Sequence, residues 1–435
     1  MSILGLRGSL CAVALGVAIF LVVGTSSRHQ NADESLYPRK DYSQDVGKIY
    51  HDLGCWQAKR KDYKRAIKTF SYALQESPDS LDLYDQLGRA YECDGNKTRA
   101  FKTYIRAIAR NQHFSDVRFG CYEDDVYSGD QGNLLLGSSE VWKGQTVPNK
   151  SLLVYTPESD ADTVMFLRFI PDVARKVGRV VLVAKPSLVR ICKSLKHCTS
   201  NLEVIDTSSC LATLPQCHCH VALSQVPAYL NYTYQNVPGR AAYLKPDQAV
   251  VKKFHDAVFA KDISLKIGIA LDASKNLYRD INVLSSLVLD QLIKCSGVMF
   301  YFLPTLNSDK DGDYKIESIV HHIKISELKN AGKCVDVRNL CRDWVDVAAI
   351  LAHCDVVIGL DNTVMHLAGA LGKKAIMLLP EVADWRWMCY SEGESSVWYK
   401  SITKICKKES TPWDGLVSRA LKIALAADKK QAVKF

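Results

Sequence analysis

Residues 356–388 read VVIGLDNTVMHLAGALGKKAIMLLPEVADWRWM, and few folds accommodate them. Residues 356–360 are an apolar run of strand length. Asp361, Asn362 and Thr363 form a polar turn, residues 364–371 a helix of small and apolar side chains, and Gly372 a stop. Ala375–Leu379 is a second apolar run. Strand, helix and strand in that order make a crossover unit of a parallel sheet. The polar turn stands at the carboxyl end of the first strand, the edge where open α/β sheets bind ligands. It also opens a helix, whose free N–H groups and dipole favour a phosphate.

The alternation extends back to Leu152. LLVYTP, RVVLVA, NLEVID and HVALS read as strands, with helices over 162–177 and PSLVRICKSL. A helix over 247–260 reads as a linker. A second set follows: LKIGIAL, the helix VLSSLVLDQLIKC, the strand GVMFYFLP, a helix over 345–353, and a last helix over 413–427. Two such halves imply a cleft between them, a preferred place for ligands.

Ahead of the halves lies a repeat of 34 residues. Tyr50, Leu53, Gly54, Ala66, Phe70 and Ala73 align with Tyr84, Leu87, Gly88, Ala100, Tyr104 and Ala107. Small residues let antiparallel helices approach, and the aromatics fill the remaining space. The period and spacing resemble the tetratricopeptide repeat. Two repeats bury little by themselves, so they are expected to lean on the body or on a protein partner.

The chain has 435 residues and a net charge of +9, without the clustering that nucleic acid requires. Fifteen cysteines at irregular spacing do not read as a disulfide framework and point to a reducing compartment. Arg7 precedes an apolar run over 10–24, expected to be a signal anchor or a cleaved signal peptide that meets the membrane through residues 8–24. Arg28, Arg39 and Lys40 follow the run and place the main body in the cytoplasm, export after cleavage being the alternative. Asn96, Asn149 and Asn231 open glycosylation acceptor triplets that matter only in the exported case. Cys217-His218-Cys219-His220 alternates cysteine and histidine, so a strand sends them to opposite faces. No metal site is expected there.

DNTVMHLAGALGKKAIMLLPEVADWRW, the later SSVWYK, Trp142-Lys143-Gly144 and DTVMFLRFIPDVARKVGRVVLVAKPSL together resemble tetratricopeptide-repeat glycosyltransferases of the heptosyltransferase-like superfamily. The resemblance covers roughly residues 45–425. It implies an α/β fold of two Rossmann-like domains facing a cleft (GT-B-like), preceded by an all-α repeat pair and an N-terminal hydrophobic helix. The parts are residues 1–27 (signal segment), 28–114 (repeats 47–80 and 81–114), 115–150 (connector), 151–260 (acceptor side), 261–425 (nucleotide-sugar side) and 426–435 (basic tail). It also implies sugar transfer from a nucleotide-diphosphate sugar to an acceptor, with inversion and with neither metal nor cofactor.

Within that resemblance Asp162 matches a candidate general base, although an Asp opening a helix is also a common N-cap. Asp361, Asn362 and Thr363 match the donor-binding turn, with Asp361 on sugar or ribose and the next two N–H groups on diphosphate. His366, Lys275, Arg279 and Arg386 are the further donor or diphosphate contacts. Trp385 and Trp387 read as core. The chain departs from the pattern at two loops. Ser159-Asp160-Ala161-Asp162 replaces Gly-Leu-Gly-Asp, and Leu271-Asp272-Ala273-Ser274 replaces Trp-Ala/Ser-Gly-Asn. Lost glycines narrow the approach of backbone to ligand, and Asp160 is expected to add negative charge beside the diphosphate. The alternative reading is a degenerate transferase fold serving as a membrane-anchored scaffold.

Overall fold

The structure is a computed structural model. It describes residues 43–426 except 79, 97–98, 101, 105–106, 108–138, 157–158, 207–214, 233–235, 239–241, 260–264, 273–280, 305, 307–318, 381–382, 388, 390–393 and 409–410. The apolar run over 10–24 and most of the connector lie outside these residues. Among the described residues no helix is long and apolar enough to cross a membrane.

Three helices come first: α1 (Ser43–Lys59), α2 (Tyr63–Glu76) and α3 (Leu81–Cys93). Asp62 caps α2 and Ser80 caps α3 through their side chains. The repeat spacing has a direct packing meaning. A methyl group on Gly54 would enter the ring of Phe70, and one on Gly88 the ring of Tyr104. Those pairs occupy matching places, 34 residues apart.

The first half is built from β1 (Glu140–Val141), β2 (Val147–Tyr155), α4 (Asp160–Phe166), α5 (Ile170–Ala174), β3 (Val177–Ala184), α6 (Pro186–Lys193), β4 (Leu202–Asp206), β5 (Cys219–Ala222) and α7 (Val226–Tyr229). Its sheet has the order β1-β5-β2-β3-β4 and is parallel throughout. One helix over 162–177 is not what forms. A 3₁₀ turn at Leu167–Phe169 separates α4 from α5, and Val177 already belongs to β3. Pro171 sits in the first turn of α5, where its missing N–H costs nothing, whereas inside a longer helix it would break the ladder.

After α8 (Gln248–Phe254) and a short π-helical turn, the second half comprises β6 (Leu265–Ala270), α9 (Ile281–Ile293), β7 (Val298–Phe302), α10 (Ile319–Asn330), β8 (Cys334–Asp336), α11 (Trp344–His353), β9 (Val356–Gly359), α12 (Thr363–Ala370), β10 (Ala375–Leu379), β11 (Ile402–Cys406) and α13 (Trp413–Leu425). Its parallel sheet has the order β11-β10-β9-β6-β7-β8. The chain grows from β6 to β8, then returns to the other side of β6 and grows from β9 to β11. The junction of β6 and β9 is therefore the switch point, where crossovers diverge and open a crevice at the carboxyl ends of the strands. In the first half the junction of β2 and β5 plays the same part.

Strands β9 and β10 are buried along their whole length, as strands covered on both faces must be. One core joins the first sheet to the near side of the second and takes in Ala100 and Tyr104 of the repeat region. Another covers the far side of the second sheet with residues of α9, α10 and α13. Across the halves α4 packs on α12 and α6 on α11, while α3 packs on the turn Trp385–Trp387. Among the described residues Cys389 and Cys406 form a disulfide, a single pair among cysteines whose spacing does not read as a framework.

Candidate functional site

The polar turn falls at the switch point of the second sheet. Asn362 caps α12 by accepting the Met365 N–H at 3.2 Å. Its amide also donates across the junction to the carbonyls of Ala270 at 3.2 Å and Asp272 at 2.7 Å. The Asn362 side chain thus ties β9 to β6. Thr363 begins α12, where the first N–H groups have no partner within the helix. Gly372 has φ +71°, the left-handed geometry that ends a helix.

Asp162 comes from the equivalent edge of the first half, in the first turn of α4. Its partner is Arg386. The guanidinium donates from Nε to Oδ1 and from Nη2 to Oδ2, each at 2.6 Å. The same Arg386 gives its Nη1 to Asp384 Oδ1 at 2.6 Å. Burial works against the Arg386 charge, but Asp162, then Asp384 and Asp361, outweigh it and raise its pKa. Two residues expected in separate roles are therefore joined in one planar fork.

His366 is 1 % exposed. Its Nδ1 lies 2.9 Å from the Tyr399 hydroxyl, and its Nε2 lies 3.7 Å from Asp361 Oδ1. The His366 ring stands 4.9 Å from that of Trp387. His366 Nε2 and the Trp387 indole nitrogen are both buried and have no hydrogen-bond partner among the described residues. Buried polar groups are normally satisfied, and two neighbouring exceptions beside an aspartate mark a place of chemical interest. Lys275 and Arg279 lie outside the described residues, and so does the side chain of Trp385.

Asp160 does not act as expected. It is 2 % exposed, accepts the Trp344 indole N–H at 2.7 Å and the Ser187 hydroxyl at 3.2 Å, and has Lys185 Nζ at 3.7 Å. Its charge is spent inside the junction of the halves. A second tie runs from Arg190 Nη1 to Asp343 at 2.7 Å. The Cys-His run lies along β5 and its approach. His218 Nδ1 pairs with the Ser151 hydroxyl at 2.9 Å and His220 Nδ1 with that of Ser139 at 2.8 Å. Among the described residues no group of His, Cys, Asp or Glu is arranged to hold a metal.

Arg168, Trp344 and Tyr399 escaped the residue-by-residue reading. Arg168 is fully buried and donates to the carbonyls of Met165 and Trp398. Its guanidinium stands 4.9 Å over Tyr243 and 4.7 Å over Tyr399. Burial drives the Tyr399 hydroxyl well above its ordinary pKa, keeping it neutral. Arg168 and Tyr399 both lie in strings that carried the family resemblance, which was the available signal. Trp344, beside an N-cap Asp, had none.

Residues 342–416 match the family Glycosyltransferase family 9 (heptosyltransferase), and that segment carries Asp361, His366 and Arg386. Protein FlbA of Caulobacter vibrioides is 23% identical over 291 residues, which are 64% of this chain and 47% of that protein. The chain thus spans about half the length of that relative. Among solved structures, ADP-heptose LPS heptosyltransferase II of E. coli is similar with a TM-score of 0.43 and 12% identity, over 64% of this chain and 99% of that one. A family 9 glycosyltransferase of Veillonella parvula has a TM-score of 0.47 and 10% identity, over 66% and 99%. The family match is confined to residues 342–416, within the second half.

Proposed function

We propose that the protein transfers a sugar from a nucleotide-diphosphate sugar to an acceptor hydroxyl, with inversion and without a bound metal. The observation that carries this reading is Asp361 beside His366, at the switch point of a sheet whose surrounding segment matches a glycosyltransferase family. Asp361 holds the donor sugar or ribose. The N–H groups at the start of α12, the His366 Nε2 edge and Arg386 receive the diphosphate. Fixed donors of this kind stabilise a leaving diphosphate because they need no reorganisation when charge develops on it. Asp162 is the base for the acceptor hydroxyl. It acts once the donor phosphates compete for Arg386, which frees its carboxylate.

Calorimetry with a panel of nucleoside diphosphates and nucleotide sugars tests this. Binding that weakens at least tenfold in Arg386→Ala supports the site. Asp162→Ala is expected to keep binding and lose turnover. No binding anywhere in the panel removes the enzyme reading.

A second reading has its own observation. The fork between Asp162 and Arg386, with both loop glycines gone, also suits a lock that holds the halves together in a scaffold without turnover. In either case the helical repeats, read as a tetratricopeptide pair, are the surface for a protein partner or acceptor, and residues 8–24 anchor the chain with its body in the cytoplasm. A reporter fused to the carboxyl terminus reads that orientation. A periplasmic or luminal signal overturns it.

A further inference from the structure

We propose that one flank of the α1–α2 hairpin is a docking surface for anionic lipid headgroups. Lys59, Arg60, Lys61, Lys64, Arg65 and Lys68 cluster at the turn of the hairpin, and all are exposed. Asp62 is the one acid within that run, and its carboxylate is engaged with the N–H and guanidinium of Arg65. Beside the charges stand three exposed apolar side chains: Trp56 at 54%, Tyr72 at 51% and Ile49 at 42%.

Helical spacing puts these residues in two adjoining stripes. Ile49 and Trp56 follow one line on α1, Arg65, Lys68 and Tyr72 follow one line on α2, and Arg60 and Lys61 lie in the turn between the two helices. Contacts across the hairpin bring the lines together: Thr69 Oγ1 donates to Gln57 at 2.8 Å, and the rings of Tyr50 and Tyr72 are 6.2 Å apart. The other flank of α1 is occupied, since His51 meets Asp82 of α3 at 2.7 Å. Ile49 and Trp56 lie roughly half a turn from His51.

The chemistry favours lipid over nucleic acid or an acidic protein. The Arg60 guanidinium lies 4.4 Å over the Trp56 ring, covering a face that a stacked base would need. Cations on long apolar stems around a tryptophan and a tyrosine suit the headgroup level of a bilayer, where ring and stem are buried and charge stays wet. The sequence also carries an apolar run over 10–24, ahead of this basic surface. One apolar segment and one basic surface together make a stable attachment. The inference stands apart from the transferase reading.

The test reads the contact itself. The full chain carries the photo-crosslinker p-benzoylphenylalanine in place of Trp56, Tyr72 or, as a control on a distant exposed helix, Ile323, which is 53% exposed. It is mixed with vesicles of phosphatidylcholine alone or with phosphatidylglycerol added. Lipid adducts are expected at 56 and 72, only with the anionic lipid, and not at 323. Replacing Lys61, Lys64 and Lys68 with Gln should weaken that contact on the order of a hundredfold, at about fivefold for each cation near an anionic surface. No lipid adduct, equal yield on neutral vesicles, or adducts to protein or nucleic acid instead would overturn the proposal.

Discussion

Asp162 and Arg386 lie 224 residues apart and meet through two parallel hydrogen bonds of 2.6 Å. One follows a strand of the first half and the other a strand of the second. Both are more than four-fifths buried, so neither charge is well served by water alone. Removing one partner strands the other. Asp162→Ala and Arg386→Ala are each expected to cost about 3 kcal/mol, the lower end for a buried pair because some solvent reaches it. The double variant should cost clearly less than the sum of the two. Urea unfolding measures this, and single costs below about 1 kcal/mol would show that the fork does not hold the halves.

Tyr399 positions His366 rather than touching ligand. The Tyr399 hydroxyl lies on Nδ1, so its role as donor or acceptor sets which imidazole nitrogen carries the proton, with Nε2 on the side of Asp361. Tyr399→Phe should release that preference and cost about 1 kcal/mol of stability. Proton–nitrogen NMR of labelled histidine reads the tautomer directly. An unchanged His366 signal in the variant would refute the role.

The disulfide between Cys389 and Cys406 closes a loop over a sequence separation of 17, and that loop contains Trp398 and Tyr399. For protein kept oxidised, loop-closure entropy for that length predicts a loss of about 3 kcal/mol in Cys389→Ser. Alkylation of protein taken directly from cells adds a compartment reading, because such a bond persists in oxidising surroundings and is reduced in the cytosol. Full alkylation at both positions would agree with a cytoplasmic body, and complete protection would contradict it.

Asp85 on α3 couples the repeats to the site loop. Burial is the main reason its pKa is raised above the ordinary 3.8, Arg89 opposes the rise, and Asp384 adds to it. The sign follows from linkage. A raised native pKa means that the folded state holds this proton more tightly than the unfolded state. Its stabilising effect is complete below pH 3.8 and is lost as pH climbs through the native value. Asp85→Asn should therefore raise the melting temperature at pH 7, with the advantage shrinking towards pH 3.8. An equal shift at both pH values would remove Asp85 as the titrating group.

How far the chain could be read depends on the range of each cause. The apolar run Ala375–Leu379 is the strand itself, because a strand buried on both faces needs nothing but continuous apolar side chains. The 34-residue period was legible because Gly54 and Gly88 answer to an aromatic 16 positions later in each unit. Short pieces such as β8 and β11 carried no pattern, since three to five residues at a sheet edge take their conformation from the neighbour they pair with. The helix over 162–177 failed at Pro171, where a local backbone rule overrode the apolar spacing.

The sequence by itself determined the parallel-sheet architecture, the repeat period and the turn at Asp361, because each rests on residues near one another in the chain. Tertiary structure alone decided that Asp162 belongs to Arg386, that Asp160 accepts from Trp344 and faces Lys185 inside the junction, and that Tyr399 holds His366. Those relationships join residues dozens to hundreds of positions apart. A side chain's charge and hydrogen-bonding capacity are written in the sequence, but the partner that takes them up is fixed only when distant elements pack together.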